Sequence, residues 1–335
     1  MTLREKQEQR EHEFFSPFAA FSDASAGRDR KEAPCDVRPI YVRDRDRILH
    51  SKAFRRLQGK TQVFLTPEGD HYRNRLTHTL EVAQTARTIA KALRLNEELT
   101  EAIALGHDLG HTPFGHAGEK ALDNVCEGGF SHALQSVRVV EQLEKHGEGL
   151  NLTKEVRDGI RHHQTKGMPA TLEGKIVRLS DKIAYLHHDV DDAVRGHLIT
   201  EQDIPDVYTS VLGHTPKERL NTMIHDIITQ SEGKNDIILS APIEEAVWGL
   251  RAYMFEHVYV HPAVKEQEIK AIRMIEQLFV HYKKTPELLP EEYRKMMDNK
   301  EPAERVICDY IAGMTDRYAV MRYREMMIPN RWEVY

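Results

Sequence analysis

The 335-residue sequence lacks the features that define several protein classes. It has only three cysteines, Cys35, Cys126 and Cys308, and no CxxC spacing. This pattern excludes a disulfide framework and a thiolate metal site, and we expect the cysteines to be small buried hydrophobic residues. No apolar run approaches the roughly 20 residues that span a bilayer. The first residues, MTLREKQEQREHEFF, are too charged for a signal peptide. We therefore expect a cytoplasmic protein with no membrane-spanning segment.

An excess of positive charge is also missing. The formal net charge is −6, whereas proteins that coat nucleic acid do so by neutralising phosphates. One segment, YVRDRDRILHSKAFRRLQGK, is locally basic, but Asp44 and Asp46 alternate with its arginines. A solvated, salt-bridged helix face is therefore an alternative interpretation of that segment. We do not expect nucleic acid as a substrate and leave it open only as a regulator.

Helical patterns dominate after Pro39, and strand-like alternation is scarce. Apolar spacing and capping residues predict helices over 76–93, over 96–107 and from about 172 to about 197. The predicted fold class is all-α, a helical bundle without a substantial sheet. We predict an irregular N-terminal arm over residues 1–38, a core with the functional site over 39–200, and a C-terminal helical region packed on the core over 201–335.

Histidine is concentrated in one part of the chain, since twelve of the 19 lie between His71 and His197. His78 falls on an apolar helix stripe and is predicted to point inward, where an imidazole needs a partner. His107 and Asp108 are adjacent where the next helix ends at a glycine-rich stretch. Asp181 interrupts the apolar pattern of KIVRLSDKIAYLHHDV, and an isolated buried carboxylate is costly unless it is paired or bound to metal.

Each of these four residues alone has an ordinary structural explanation as a core histidine or a surface aspartate. Together they form a mixed nitrogen and oxygen set that leaves ligand positions open for water or phosphate. We predict a divalent metal cofactor on His78, His107, Asp108 and Asp181. The donor types suit manganese, magnesium, iron, nickel or zinc and do not select among them.

The motif HDLGHTPFGHAGE supplies further candidates in His111, His116 and Glu119. On a helix, His116 and Glu119 would stack one turn apart, so that the carboxylate orients the imidazole as an acid/base pair. A plain surface contact is the alternative. Asp181, Tyr185 and Asp189 share one helix face, where a phenol ring can cover a sugar and a carboxylate can accept from a hydroxyl. A polar helix flank is the alternative there, and Lys182 points either toward a bound phosphate or toward water.

An ordered series of motifs now supports a resemblance. The chain resembles the deoxyguanosine triphosphate triphosphohydrolase-like (dGTPase) branch of the HD-domain superfamily. The matching segments include RDRDRILHSKAFRRLQGKTQVF, EGDHYRNRLTHTLEVAQTARTIAKAL, EAIALGHDLGHTPFGHAGEKAL, FSHALQSVRVVEQLE, LSDKIAYLHHDVDDA and DYIAGMTDRYA. The resemblance implies a helical metal-dependent enzyme that hydrolyses a deoxynucleoside triphosphate to the deoxynucleoside and tripolyphosphate.

The resemblance also implies roles for individual residues. It places the metal on the same four residues and makes His116, Glu119 and His111 the catalytic group. Substrate contacts fall on Arg55, Gln62, Val63, Arg75, His132, Lys182, Tyr185 and Asp189. Of these, Arg75 and Lys182 would contact the triphosphate, His132 would join His111 on the phosphate side, and Arg55 would reach the phosphates or the base.

Other expectations concern the sugar, the base and the assembly. Gln62, Val63, Tyr185 and Asp189 would surround the deoxyribose. His162 and His163 are interpreted as supporting or core residues; the alternative is that they resemble the paired histidines by which other HD phosphohydrolases hold two metals, so the resemblance implies one or two ions. No segment identifies the wall that recognises the base, which we expect in the C-terminal half. We expect a homo-oligomer, as in similar proteins. The alternatives are an HD phosphohydrolase for another nucleotide and a nucleotide-sensing protein with a vestigial site.

Overall fold

The computed structural model describes residues 1–62 and 73–329. The only β-type contact within those ranges is an isolated bridge between Thr61 and Asn74, so the all-α prediction is confirmed. Among the same residues, no helix has the length and apolar character to cross a membrane. The α-helices are α1 (Leu3–Phe14), α2 (Ile40–Leu49), α3 (Lys52–Arg56), α4 (Arg75–Ala92), α5 (Glu97–Gly106), α6 (Gly115–Val125), α7 (His132–Arg138), α8 (Lys154–Arg161), α9 (Leu172–Arg195), α10 (Asp206–Leu212), α11 (Pro216–Ser231), α12 (Ala241–Met254), α13 (Pro262–Lys284), α14 (Glu291–Asp298), α15 (Ala303–Ala312) and α16 (Asp316–Met327).

Polar caps fix the starts of the three helices that carry the candidate metal ligands. The Asn74 side chain accepts from the backbone of Thr77 ahead of α4, and Asn96 accepts from Glu98 and Leu99 ahead of α5. Thr171 caps α9 in the same way. Each cap satisfies backbone N–H groups that have no partner within the helix. The three predicted helices are therefore confirmed as α4, α5 and α9, with small shifts of their ends.

Two apolar cores position the site. The first lies among α2, α4, α5, α8 and α9 and includes the fully buried Val82, Ile103 and Ile176. The second joins α6 to α13, α15 and α16 through residues such as Leu122 and Ile307. The helix that begins next to His116 is thus held by the C-terminal region. The domain bounds at residues 38 and 200 stay predictions.

The N-terminal segment contains a regular helix that its polar composition concealed. The Thr2 hydroxyl accepts from Glu5 N at 3.2 Å, and the Glu5 carboxylate accepts from Thr2 N at 2.8 Å. This reciprocal pair is a capping box, and the T-x-x-E pattern at the start of the sequence is its signature. The prediction of an irregular arm is therefore wrong for Leu3–Phe14.

Arg28 anchors the same segment to α2 by a buried ion pair with Asp44, whose side chains are 5% and 0% exposed. Asp44 also accepts from Thr153 N at 2.8 Å and from the Thr153 hydroxyl at 2.6 Å. We expect Asp44→Ala to lower the free energy of unfolding by about 3 to 5 kcal/mol, because it leaves a buried guanidinium unpaired. Asp46→Ala is the control: its partner Arg38 is half exposed, and its other partner, Arg45, keeps its ion pairs with Glu98 and Glu101. Exposed pairs contribute about 1 kcal/mol or less. Urea unfolding of both variants measures the difference, and equal losses would contradict this assignment.

Candidate metal centre and active site

The four predicted metal ligands meet where α4, α9 and the end of α5 converge. His78 Nε2 lies 3.1 Å from Asp181 Oδ1, and His107 Nε2 lies 3.7 Å from the same oxygen. His107 Nε2 is also 3.6 Å from Asp108 Oδ2. Ligand atoms of His78, His107 and Asp108 all lie within 4.8 Å of one another. The fold therefore assembles two imidazoles and two carboxylates from three helices.

The hydrogen bonds of His107 leave one of its nitrogens free for a metal. Its Nδ1 lies 2.6 Å from the backbone oxygen of Ala104, and because a carbonyl can only accept, Nδ1 carries the proton. Nε2 is buried and has no hydrogen-bond partner among the residues that the structure describes. An unpartnered buried acceptor is unfavourable, whereas a backbone-oriented imidazole with a free lone pair is the usual arrangement of a metal ligand. These residues thus fit a divalent metal ion.

Both carboxylates of the cluster are held in the ionised form. Burial opposes ionisation of Asp108, but its neighbours His107 and Arg75 outweigh that effect and hold its pKa well below the ordinary value. Burial likewise opposes ionisation of Asp181, and there the His78 hydrogen bond and the neighbouring His107 lower the pKa. Metal ligands must be deprotonated, so the cluster is prepared to bind a cation near neutral pH.

Arg75 links the cluster to the segment that precedes α4. Its Nη1 donates to Asp108 Oδ2 at 2.5 Å, and its Nη2 donates to the backbone oxygens of Thr61 and Gln62 at 3.1 and 3.2 Å. Only 3% of Arg75 is exposed, and that part lines the cavity described below. The side chain predicted to contact phosphate therefore also orients a candidate metal ligand.

A second group of residues, the histidine cluster of His111, His116, His132 and His163 with Glu119, lies beside the candidate metal site. His116 Nδ1 is 3.3 Å from Glu119 Oε2, and His132 Nδ1 is 2.9 Å from Glu119 Oε1. His132 Nε2 lies 3.8 Å from Asp108 Oδ1. The predicted His116 and Glu119 contact is present, but Glu119 serves a second imidazole, His132, which the local spacing does not reveal.

Three imidazoles of the histidine cluster have pKa values that are shifted in different directions. Burial by itself lowers the pKa of His132, but its hydrogen bond to Glu119 reverses the effect and raises the pKa above the ordinary value. Burial, with Arg75 and His132 nearby, holds the pKa of His111 well below its ordinary value. Burial and the neighbouring imidazoles lower the pKa of His163 to about 4. His132, whose pKa is raised, therefore lies between two imidazoles whose pKa values are lowered: His111 is stacked on it at 4.3 Å between ring centres, and His163 Nε2 lies 3.2 Å from His132 Nε2.

Both groups open into one cavity of about 370 Å³. His116, which is 63% exposed at its side chain, stands at this cavity. The other lining residues that the sequence predicted are Gln62, Arg75, His78, Asp108, His111, His132, Asp181, Lys182 and Tyr185. Residues that were predicted separately to bind metal, phosphate and sugar thus line the same cavity.

Sequence comparison is consistent with this geometry. Residues 75–186 match the HD domain, and residues 237–325 match the phosphohydrolase-associated domain. A deoxyguanosinetriphosphate triphosphohydrolase-like protein of Caldanaerobacter subterraneus is 54% identical over 99% of this chain and 98% of its own. Proteins of the same description from Desulfatibacillum aliphaticivorans and Clostridium perfringens are 48% and 45% identical, each over 98% of this chain and 99% of the relative. This chain belongs to the deoxyguanosinetriphosphate triphosphohydrolase-like family.

Membership in the deoxyguanosinetriphosphate triphosphohydrolase-like family confirms the resemblance seen in the motifs and makes the chain an HD phosphohydrolase. HD domains depend on metal, and the described residues include His/Asp groups that could hold one. A solved phosphohydrolase from Bacteroides thetaiotaomicron shares the fold, with a TM-score of 0.53 at 17% identity over 84% of this chain and 68% of that protein.

Two predicted substrate residues of this family member, Arg55 and Asp189, do not line the cavity. Arg55 is exposed, donates to the His50 backbone at 3.0 Å and lines a separate surface depression, so the structure does not bring it to the cavity. Asp189 is fully buried one turn beyond Tyr185 and accepts from the Tyr259 hydroxyl, and burial raises its pKa well above the ordinary value. Val63 lies outside the described residues.

Other lining residues were missed by the sequence analysis. The C-terminal half supplies Val247, Trp248 and Arg251 of α12. The Lys182 ammonium lies 4.9 Å from the centre of the Trp248 ring, a cation–π contact that brings together two helices distant in sequence. The loop after α8 contributes Gln164, Thr165 and Lys166. His163 lies within the histidine cluster, whereas its neighbour His162 is bound to Asp158 at 2.9 Å.

Proposed function

We propose that the protein hydrolyses deoxynucleoside triphosphates to the deoxynucleoside and tripolyphosphate. The observation that carries this proposal is the cavity in which three of the four candidate metal ligands, His78, Asp108 and Asp181, face Arg75, Lys182 and the imidazoles of the histidine cluster. A triphosphate needs several cationic partners, and four basic side chains line this cavity: Arg75, Lys166, Lys182 and Arg251. The metal would be held by His78, His107, Asp108 and Asp181. When bound, it would supply Lewis-acid stabilisation of phosphoryl oxygens.

The charged side chains of the cavity account for binding of the phosphates. Arg75 is fixed by Asp108 and by backbone oxygens, so its guanidinium is already oriented before a ligand arrives. Lys182 is held over Trp248, and burial lowers its pKa to about 8, which leaves it mostly protonated at neutral pH. Donors fixed in advance stabilise developing negative charge without reorganisation.

The proposed reaction breaks the bond between the α-phosphorus and the 5′ oxygen. Water supplies the oxygen that bonds to phosphorus, and the departing 5′ oxygen must gain a proton. His116 is exposed in the cavity and held by Glu119, which suits it to deliver that proton. Glu119 also bonds to His132, so one carboxylate sets the orientation of two imidazoles on the phosphate side.

Purified protein incubated with each of the four deoxynucleoside triphosphates and manganese tests this proposal. Ion chromatography separates tripolyphosphate from pyrophosphate and phosphate. Tripolyphosphate in a one-to-one ratio with the deoxynucleoside is the expected result. Release of pyrophosphate or phosphate alone, or no turnover with any of the four nucleotides and any divalent metal, would overturn it.

Ribonucleotides are expected to be poorer substrates by about 100-fold, the discrimination that a close-fitting pocket achieves against one added hydroxyl group. Tyr185 lines the cavity beside Gln62, whose buried Oε1 has no partner among the described residues and can accept from a sugar hydroxyl. The ratio of kcat/KM for dGTP and GTP measures the effect. Tyr185→Ala should narrow this ratio while keeping wild-type metal content, because the phenol is no ligand. Equal turnover of dGTP and GTP by the wild-type protein would contradict the sugar-pocket assignment.

A further inference from the structure

The C-terminal region contacts two separate loops of the candidate site through one side chain, Asp316. Its Oδ2 accepts from Thr61 N at 2.9 Å and from the Thr61 hydroxyl at 2.5 Å. Its Oδ1 accepts from Phe114 N at 2.9 Å. Asp316 is the first residue of α16, and neither loop belongs to the C-terminal region. A single carboxylate therefore joins two segments that are distant in sequence from it and from each other.

The first of these loops holds the cationic side of the cavity. The backbone oxygen of Thr61 accepts from Arg75 Nη2 at 3.1 Å and from Nε at 3.3 Å. Arg75 in turn donates to Asp108. The position of Thr61 thus determines where the Arg75 guanidinium lies, and Asp316 holds Thr61 through both its backbone and its hydroxyl.

The second loop places the candidate proton donor. Phe114 and Gly115, the two residues before His116, both have left-handed backbone conformations, with φ of 63° and 56°. That conformation is unfavourable for phenylalanine and persists only where the surroundings hold it. A Cβ at Gly115 would lie 3.3 Å from the Gln62 backbone oxygen, so the two loops are in close contact. The bond from Phe114 N to Asp316 fixes the turn from which α6 and His116 start.

Lys60 forms a second link of the same kind. Its ammonium is 3% exposed and donates to the backbone oxygens of His111 and Ala312, the latter at 2.9 Å. Ala312 is the last residue of α15. The residue before Thr61 therefore bonds both to the catalytic motif and to the C-terminal region. The Asp316 link involves α16 and the Lys60 link involves α15. Both links connect residues 60–61 and the segment 111–114 to the C-terminal region.

We infer that Asp316 is a positioning residue: it sets the spacing between Thr61, which holds Arg75, and Phe114, which precedes the helix of His116. Lys60 is its supporting link. The C-terminal region is then part of the catalytic arrangement, although Asp316 itself touches no reacting atom. Both of its oxygens accept, so asparagine cannot replace it: an amide nitrogen would face a backbone N–H. The effect of Asp316 on catalysis rests on the proposed function. The connection that Asp316 makes between Thr61 and Phe114 does not.

Asp316→Asn is expected to reduce kcat for the best deoxynucleoside triphosphate by about 10- to 100-fold while metal content stays unchanged, since small misplacements of a reacting group cost about that much. Thr315→Ala is the matched control. It removes the cap of the same helix, where the Thr315 hydroxyl accepts from Tyr318 N at 3.3 Å, and it leaves the bonds of Asp316 in place. Its kcat should stay within about 3-fold of the wild type. Thr61→Val, which removes one of the three bonds, should give a smaller loss than Asp316→Asn and serves if that variant does not fold.

A double-mutant cycle separates positioning from general support of the fold. If Asp316 places His116 relative to Arg75, Asp316→Asn should reduce kcat by a smaller factor in a His116→Ala background than in the wild type, because one of the two groups whose spacing it sets is gone. Multiplicative losses, an unchanged kcat in Asp316→Asn and Thr61→Val, or an equal loss in Thr315→Ala would each overturn the inference.

Hydrogen exchange tests the connection without any activity. The amides of Thr61 and Phe114 should exchange faster in Asp316→Asn than in the wild type and in Thr315→Ala. Should the wild-type protein hydrolyse no deoxynucleoside triphosphate, the proposed function fails but this comparison still decides whether Asp316 holds the two loops. Unchanged exchange at both amides would overturn the connection itself.

Discussion

Replacing His107 or Asp181 with alanine is expected to remove most of the bound divalent metal and to reduce hydrolysis by about 1,000-fold or more. Each variant deletes one of four ligands and leaves the others without a common centre. A bound ion would stabilise transition-state charge by several kcal/mol, and about 4 kcal/mol corresponds to that loss of rate. His107 should show the effect fully, because its Nε2 has no other partner in the described part of the chain.

Matched variants separate ligand loss from general damage. His162→Ala removes an imidazole that is bound to Asp158 instead of the cluster, and Asp191→Ala removes a carboxylate of α9 that pairs with Arg73 at 2.8 Å. Both should retain wild-type metal content and at least about a third of the activity, since surface substitutions usually change stability by under about 0.5 kcal/mol. Metal analysis of the dialysed proteins by mass spectrometry decides the question. Wild-type metal content in both His107→Ala and Asp181→Ala would refute the four-ligand assignment.

Removal of His116 should cost about 10² to 10⁴ in kcat, the usual range for a general acid or base, without loss of metal. The structure changes the expectation for Glu119. Sequence spacing gives Glu119 one partner, His116, and therefore predicts a smaller loss of kcat for a Glu119 variant than for His116→Ala. In the structure, Glu119 bonds to His132 as well as to His116. Glu119→Gln is therefore expected to lose at least as much kcat as His116→Ala.

The two variants should also differ in their pH dependence. Glu119 raises the pKa of His132, so loss of its charge should lower that pKa and confine protonated His132 to more acidic solution. The alkaline limb of the kcat profile should then move to lower pH in Glu119→Gln. Glu127→Gln, an exposed acid just beyond α6, is the control and should leave the profile unchanged. A metal-free His116→Ala protein would show that a ligand had been taken for a catalyst, and a fully active one that the pair is structural.

Features that depend on neighbours in the chain were determined by the sequence. Capping residues and apolar spacing located α4, α5 and α9, because helix starts and buried faces are set within a few residues. The same local reasoning placed His78 inside the bundle and His116 within reach of Glu119. The N-terminal helix is also determined by neighbouring residues, through the T-x-x-E pattern of its capping box. The polar composition of the same segment indicated an irregular arm instead.

Tertiary structure alone decided which distant groups meet. Nothing in local spacing brings Trp248 to Lys182, His132 to Glu119, or Asp316 to Thr61. The tertiary structure also leaves Arg55 on the surface, although Arg55 is close in sequence to site residues. The physical reason is that a helix fixes the direction of its side chains relative to its own axis, whereas the packing of one helix on another fixes where those side chains lie. The motifs therefore predict the residue types of this site. The bond of Glu119 to a second imidazole and the support of the site by the C-terminal helices arise only in the folded chain.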